Sequence, residues 1–218
     1  LLRLPAAGAE VIRRGEVSLW LASNKVDPAV VDRVKAIEQQ LRANVAAPTL
    51  AVHGVAWALG RLELLFGDAR LRHPSALTTL LVRDPNAFGD LEPLARAEVL
   101  SAWLQWYGQP VAARFAEQYG RALRTPGAAV DAEALAWSLG VPLTLAGVAL
   151  RDVRELADLV ARSEAAQREA LQFARQGRLV TWLESLPPAK TDVAWQRSLV
   201  DPEFVQLGPA VAFWFGVH

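Results

Sequence analysis

The chain has 218 residues, 52% hydrophobic and 21% charged, the balance of a globular protein long enough to bury a substantial core. Its 23 basic and 23 acidic residues cancel, so no global field recruits nucleic acid or an anionic membrane. The absence of cysteine excludes disulfides, thiol nucleophiles and thiolate metal sites.

Residues 1–8 are too short to classify. In the stretch 11–21 that follows, Val17, Trp20 and Leu21 share one helical face. Asp27-Pro28 then starts a helix, with Asp as N-cap and Pro in the first helical position. It runs to about residue 43 with Val31, Val34, Ile37 and Leu41 on its apolar side. Pro48 opens the next helix, which holds Trp57 and ends at Gly60. Residues 61–71 partly alternate around Gly67-Asp68, the pattern of a short hairpin. A two-stranded hairpin is marginal alone, so it must lie on helices. A helix over 74–82 follows, and Asp84-Pro85 is the next start.

The order then begins again. Residues 94–104 repeat the first motif around Arg96 and Trp103. Helix 110–124 carries Val111, Phe115, Tyr119 and Leu123 at steps of four, and Thr125-Pro126-Gly127 breaks the chain. Leu135-Ala136-Trp137-Ser138-Leu139-Gly140 repeats Val55-Ala56-Trp57-Ala58-Leu59-Gly60. A hairpin over 141–150 follows, in which Pro142 restricts its strand to an edge or a first residue. Then come a helix over 151–162, a start at Ser163-Glu164, and a third motif over 171–183 that Pro187-Pro188 stops. Trp20, Trp103 and Trp182 are 83 and 79 residues apart; Trp57, Trp137 and the weaker Trp214 landmark are 80 and 77 apart. Two landmarks in phase mark an internal repeat. We therefore expect a mainly α fold, a tandem array of helical units with short β-hairpins between helical groups. The units are 1–83, 84–162 and an incomplete 163–218, separate or continuous as one domain. The chain opens on Leu and breaks off where a hairpin is due, so we expect it to be part of a longer one.

Within 141–186, a strand pair, the helix with Arg154-Glu155-Leu156-Ala157, and Gly177-x-Leu179-x-x-Trp182-Leu183 follow one another. This segment resembles a helical repeat segment of bacterial multidomain signalling and chaperone-like proteins. The other copies are looser: Glu98 replaces the glycine, and copy one lacks the hairpin before its motif. The resemblance implies a bacterial module accompanying other domains, and nothing catalytic.

Trp20, Trp103 and Trp182, flanked by apolar residues at helical spacing, read as core, as do Trp57 and Trp137. Trp106, Tyr107 and Trp195 are not shared between copies, and a binding surface would use such residues, although packing would too. Arg13, Arg96 and Arg175 repeat in register. They form either a row of forked donors for a partner's carboxylates or phosphates, or contacts within each unit such as helix C-terminal ones. His53, His73 and His218 lack metal-ligand spacing, and His53, one turn before Trp57, reads as a packing histidine. Residues 84–90 mimic a calcium loop but put Phe88 and Ala95 where ligands are required. There is no Gly-x-Ser-x-Gly elbow, phosphate loop or dinucleotide fingerprint. No apolar run is long enough to span a bilayer, and the opening residues lead us to expect no leader segment. The expectation is a cytoplasmic, non-enzymatic scaffold without cofactor, metal or membrane contact, which binds a protein or positions flanking domains. The alternative is a nucleic-acid-binding helical array using Arg and the unmatched Trp residues, which the zero net charge disfavours.

Overall fold

The protein is mainly helical with two short antiparallel hairpins, and the computed structural model describes residues 5–187 apart from 67–68. The Gly67-Asp68 turn, Pro188, Trp195, the Trp214 landmark and His218 lie outside the described residues. Packing divides the chain into two compact units, residues 1–80 with 84–130 and residues 81–83 with 131–218. This is a division by contact. The sequence period divides the chain differently, at 83/84 and 162/163.

The first unit opens with α1 (Pro5–Arg14), α2 (Glu16–Ser23), α3 (Pro28–Arg42) and α4 (Pro48–Ala58). The Asp27 carboxylate accepts from the Ala29 amide at 2.9 Å, capping α3 where Pro at N1 needs no donor. Ile12, Leu21, Val34, Leu41, Val52 and Val55 pack into one core. β1 (Leu64–Phe66) pairs with β2 (Ala69–Leu71), Leu64 opposite Leu71. Next come α5 (Pro74–Arg83), a 3-10 helix (Pro85–Leu91), α6 (Glu92–Arg96), α7 (Val99–Trp106) and α8 (Pro110–Arg124).

The second unit holds α9 (Ala132–Ser138), β3 (Leu143–Leu145), β4 (Val148–Leu150), α10 (Val153–Arg162), α11 (Glu164–Arg175) and α12 (Arg178–Ser185). Leu143 pairs with Leu150 across the hairpin. Its two-residue turn puts Ala146 and Gly147 at φ 48° and 78°, the left-handed pair whose twist matches that of the strands. Trp137, Leu143, Leu145, Leu156, Leu179 and Trp182 lie in one core. Asp131, Asp152 and Ser163 cap α9, α10 and α11 through their side-chain oxygens.

Each Trp motif is two helices, not one. The residue five before the tryptophan adopts the left-handed conformation: Gly15 at φ 77°, Glu98 at 60° and Gly177 at 73°. There the first helix ends and the second sets off in a new direction. Ending the helix strands its last carbonyls, and in two copies an arginine from another helix takes one of them. The last residue of each fifteen-residue helix does this, Arg42 Nε donating to the Arg13 carbonyl and Arg124 a guanidinium N–H to the Arg96 carbonyl, both at 2.7 Å.

A left-handed residue with a Cβ costs roughly 1–2 kcal/mol, so swapping residue types at the breaks has opposite consequences. A Cβ at Gly177 would meet no atom within 4 Å, so Gly177→Ala should destabilise by about 1 kcal/mol through backbone strain alone. Glu98→Gly should stabilise by about 0.5–1 kcal/mol, since the pair it forfeits, Glu98 with Arg124 at 2.9 Å, is surface-exposed and worth little. Urea unfolding reads both, and midpoints moving in the same direction would refute the assignment.

Candidate interaction surface

In the first unit the motif tryptophan of copy two is sealed beneath a hairpin. Trp103 is fully buried, and its Nε1–H donates to the Leu62 carbonyl at 2.9 Å. One turn later the Tyr107 hydroxyl shares its single proton between the Arg72 carbonyl and the Leu62 carbonyl, the latter at 3.2 Å. Its ring meets Trp103 edge-on with centroids 5.2 Å apart. Leu62 and Arg72 both lie at the open end of the hairpin, away from its turn, so α7 and its C-cap residue Tyr107 hold that end. In the second unit Trp182 is equally buried, in the core that contains Leu143, Leu145 and Leu150 of β3 and β4. Leu64 precedes Trp103, and Leu143 precedes Trp182, by the same 39 residues. In the first unit the hairpin is tied to the motif tryptophan that follows it, and in the second the two share one core.

Trp20 departs from the core expectation. It is 63% exposed, beside Leu19 at 70%. Of α2 only Ser18 and Leu21 are buried. Among the described residues no hairpin packs on α2, which lies against α3 and α1. Ser18 instead faces Glu38, whose buried carboxylate accepts from the Ser18 amide at 2.9 Å and its hydroxyl at 2.6 Å. Glu38 thereby supplies the N-terminal acceptor that Gly15 cannot.

The remaining candidates fall into different surroundings. Trp57 and Trp137 are buried, and Trp57 Nε1 donates to the Glu63 carbonyl at 3.3 Å. Trp106 is half exposed, its ring 6.4 Å from that of Trp57. Nearby Gln105 lines an open groove of about 400 Å³ with Leu50, Glu98, Ala113 and Glu117. Tyr107 has a structural task, clasping the hairpin. Trp195 lies outside the described residues. Arg13 sits 3.7 Å from Glu10; Arg96 donates to the Leu123 carbonyl at 2.5 Å and lies 3.8 Å from Glu92. Arg175 is exposed, in the last turn of α11. What recurs between copies one and two is the backbone carbonyl of the repeated arginine, as an acceptor, rather than a guanidinium presented outward. Sequence reasoning misses Leu19 and Glu38; the adjacency of Leu19 to the motif tryptophan is the available signal for the first. Among the described residues no group of three or more side chains could hold a metal ion.

His53 is buried on α4, against the Trp57 ring at 5.8 Å. Its Nδ1 lies 2.9 Å from the Thr49 carbonyl. A carbonyl only accepts, so Nδ1 carries the proton and donates. Nε2 is buried with no hydrogen-bond partner among the described residues. Burial lowers the imidazole pKa below its ordinary 6.5, against a smaller opposing effect of the Thr49 hydrogen bond.

Trp103→Ala should destabilise by about 3–5 kcal/mol, and Trp20→Ala by less than about 0.5 kcal/mol, in urea unfolding; comparable losses at the two sites would overturn the distinction between covered and uncovered tryptophans. A lowered folded pKa at His53 means that the unfolded chain takes up a proton first as pH falls. Stability is therefore unaffected by this group above pH 6.5. Below it stability drops by up to about 1.4 kcal/mol per pH unit, until the folded state also titrates. His53→Leu should flatten that part of the profile, and an unchanged slope would show that other groups set it.

No family model, no curated protein and no solved structure matches this chain, and its function has to be read from its own residues.

Proposed function

We propose that the chain is a non-enzymatic scaffold, a tandem array of helical units that binds a protein or positions neighbouring domains in a cytoplasmic bacterial multidomain protein. The observation that carries this reading is Trp20, exposed with Leu19 at the motif position that is buried in both other copies. An aromatic anchor left in water beside a second large apolar side chain is the makeup of an interface centre, where a few such residues carry much of the binding energy. The recurring order of elements also supports it. A broken helix, a fifteen-residue helix, a Trp-bearing helix, a hairpin and a further helix run through 5–83 and again through 92–162. In a repeat architecture such units stack on neighbours and present an extended surface. The resemblance of 141–186 to bacterial repeat segments points the same way. This reading requires no cofactor, metal or membrane.

A nucleic-acid array is less well supported. Many arginines are paired with nearby carboxylates, as in Arg14–Glu10, Arg121–Glu117 and Arg178–Glu133, which leaves little free charge to displace counterions from phosphates. The two readings separate in a pull-down with the full chain and with a Leu19→Ser/Trp20→Ser variant, each with and without nuclease. Proteins that survive nuclease and are lost with the variant support the scaffold. Enrichment that vanishes with nuclease and ignores the variant favours the nucleic-acid array.

A further inference from the structure

We propose that the open end of the β1–β2 hairpin is an acid-released clasp, kept shut by His53 and His73 in their neutral forms. It is independent of the scaffold reading, because it concerns how the first unit changes and not what the unit binds. Three aromatic side chains hold that end. Trp57 Nε1–H donates to the Glu63 carbonyl at 3.3 Å and Trp103 Nε1–H to the Leu62 carbonyl at 2.9 Å. The Tyr107 hydroxyl reaches the Leu62 and Arg72 carbonyls. Both histidines touch this clasp. The His53 ring lies against Trp57 with centroids 5.8 Å apart, and His73 meets Tyr107 edge-on at 5.4 Å.

Hydrogen bonds fix each histidine as neutral, in opposite tautomers. His53 Nδ1 donates to the Thr49 carbonyl, which leaves Nε2 bare, buried and without a partner among the described residues. A further proton has to go to Nε2, where no acceptor faces it, and an unpaired buried charge is costly. At His73 the choice is reversed. The Ser75 amide can only donate, so Nδ1 accepts from it, at 3.3 Å, and caps α5. An imidazolium has no accepting nitrogen, so a proton on His73 removes this cap. The two protons thus act on the two strands: one through Trp57 on the residue ahead of β1, the other on the turn that leads from β2 into α5.

Neighbouring charges do not set the response of His53. The helices packed on α4 are α1, α3 and α7. On α1, Arg13 and Arg14 stand beside Glu10. On α3, Lys35 pairs with Asp32, Glu38 faces Ser18, Arg42 takes the Arg13 carbonyl, and Arg33 completes the set. Helix α7 has no charged residue. The lowered pKa of His53 comes from burial, which the Thr49 hydrogen bond opposes, and from none of these charges. Around His73 stand Tyr107 and the Glu63 carboxylate, which Arg70 and Arg72 approach at 3.7 and 3.2 Å, while Arg83 sits at the far end of α5. Once opened, His53 regains its ordinary 6.5, so below that pH the open form takes up a proton first. Opening then grows by up to about tenfold per pH unit until the closed form titrates too. It uncovers Leu64, Phe66 and Leu71, all buried in the closed form. Residues 131–187 contain no histidine, so the β3–β4 hairpin is an internal reference.

Hydrogen exchange of the full chain at pH 7 and pH 5, corrected for the intrinsic amide rate at each pH, tests this. Amides of β1 and β2 should lose about tenfold in protection, while those of β3, β4 and α8 hold theirs. A His53→Leu/His73→Asn variant should keep the first hairpin protected at pH 5, because leucine takes no proton and asparagine caps without titrating. Where leucine disturbs the core, His53→Gln, polar but without a titrating group, replaces it. A first hairpin already unprotected at pH 7, or one unchanged at pH 5, overturns the proposal. So does an equal loss in β3 and β4, or an equal loss throughout α8, which would mean that the whole unit unfolds. A loss that persists in the double variant overturns it as well, since other groups would then release the hairpin.

Discussion

The hold of Trp103 and Tyr107 on the hairpin ahead of them organises the first unit. Each hairpin has three residues per strand, too little to persist in water. Each Trp-bearing motif helix has eight, below the length at which an isolated helix is stable. Neither element folds on local preference. Together they bury an indole and the inward leucines, and in the first unit Trp103 and Tyr107 occupy carbonyls at the hairpin's open end that its own short ladder leaves free. The pairing spans about forty positions of chain, so loop closure has to precede the gain. The helices between hairpin and tryptophan shorten that closure by being compact themselves.

The left-handed break serves this contact by letting the Trp helix leave the direction of the helix before it. Its cost is a helix end exposed on both sides, and copies one and two meet it differently. In copy one Arg42 lies across Gly15, so close that a Cβ there would fall 1.9 Å from its guanidinium, and Glu38 accepts from the start of α2. In copy two the position on α8 that corresponds to Glu38 is Gly120. A Cβ at Gly120 would stand 2.2 Å from the Ala95 carbonyl. There the helices pack backbone to backbone, and no side chain could reach the break from that position. Copy two therefore carries its left-handed residue as Glu98, with Arg124 beside it. The same topology has one polar and one close-packed solution.

Much of the fold is legible in the sequence because its punctuation is local. Asp27-Pro28, Pro48, Pro110 and Ser163 start helices through caps and N1 prolines that act within a turn, and Gly147 marks a hairpin turn. The break at the motif is half visible: glycine stands there twice, but Glu98 disguises the third instance. Trp20 shows the limit of periodicity. Spacing reports that Val17, Trp20 and Leu21 share a face; it cannot report whether anything lies over that face, because the cover is an element far away in sequence. The arginine repeat misleads for a similar reason. Arg13 and Arg96 recur as residue types, while the recurring hydrogen bond uses their backbone carbonyls, which any residue would provide.

Two exposed tryptophans are not equivalent as candidates for recognition. Trp106 closes α7 against the Trp57 ring and has no aromatic counterpart in copy three, where Ser185 stands at the same step after the motif tryptophan. Its half-exposure is what the end of a helix beside an open groove produces. Trp20 has two counterparts, both buried, and it keeps the helix, the break and the following leucine that serve them.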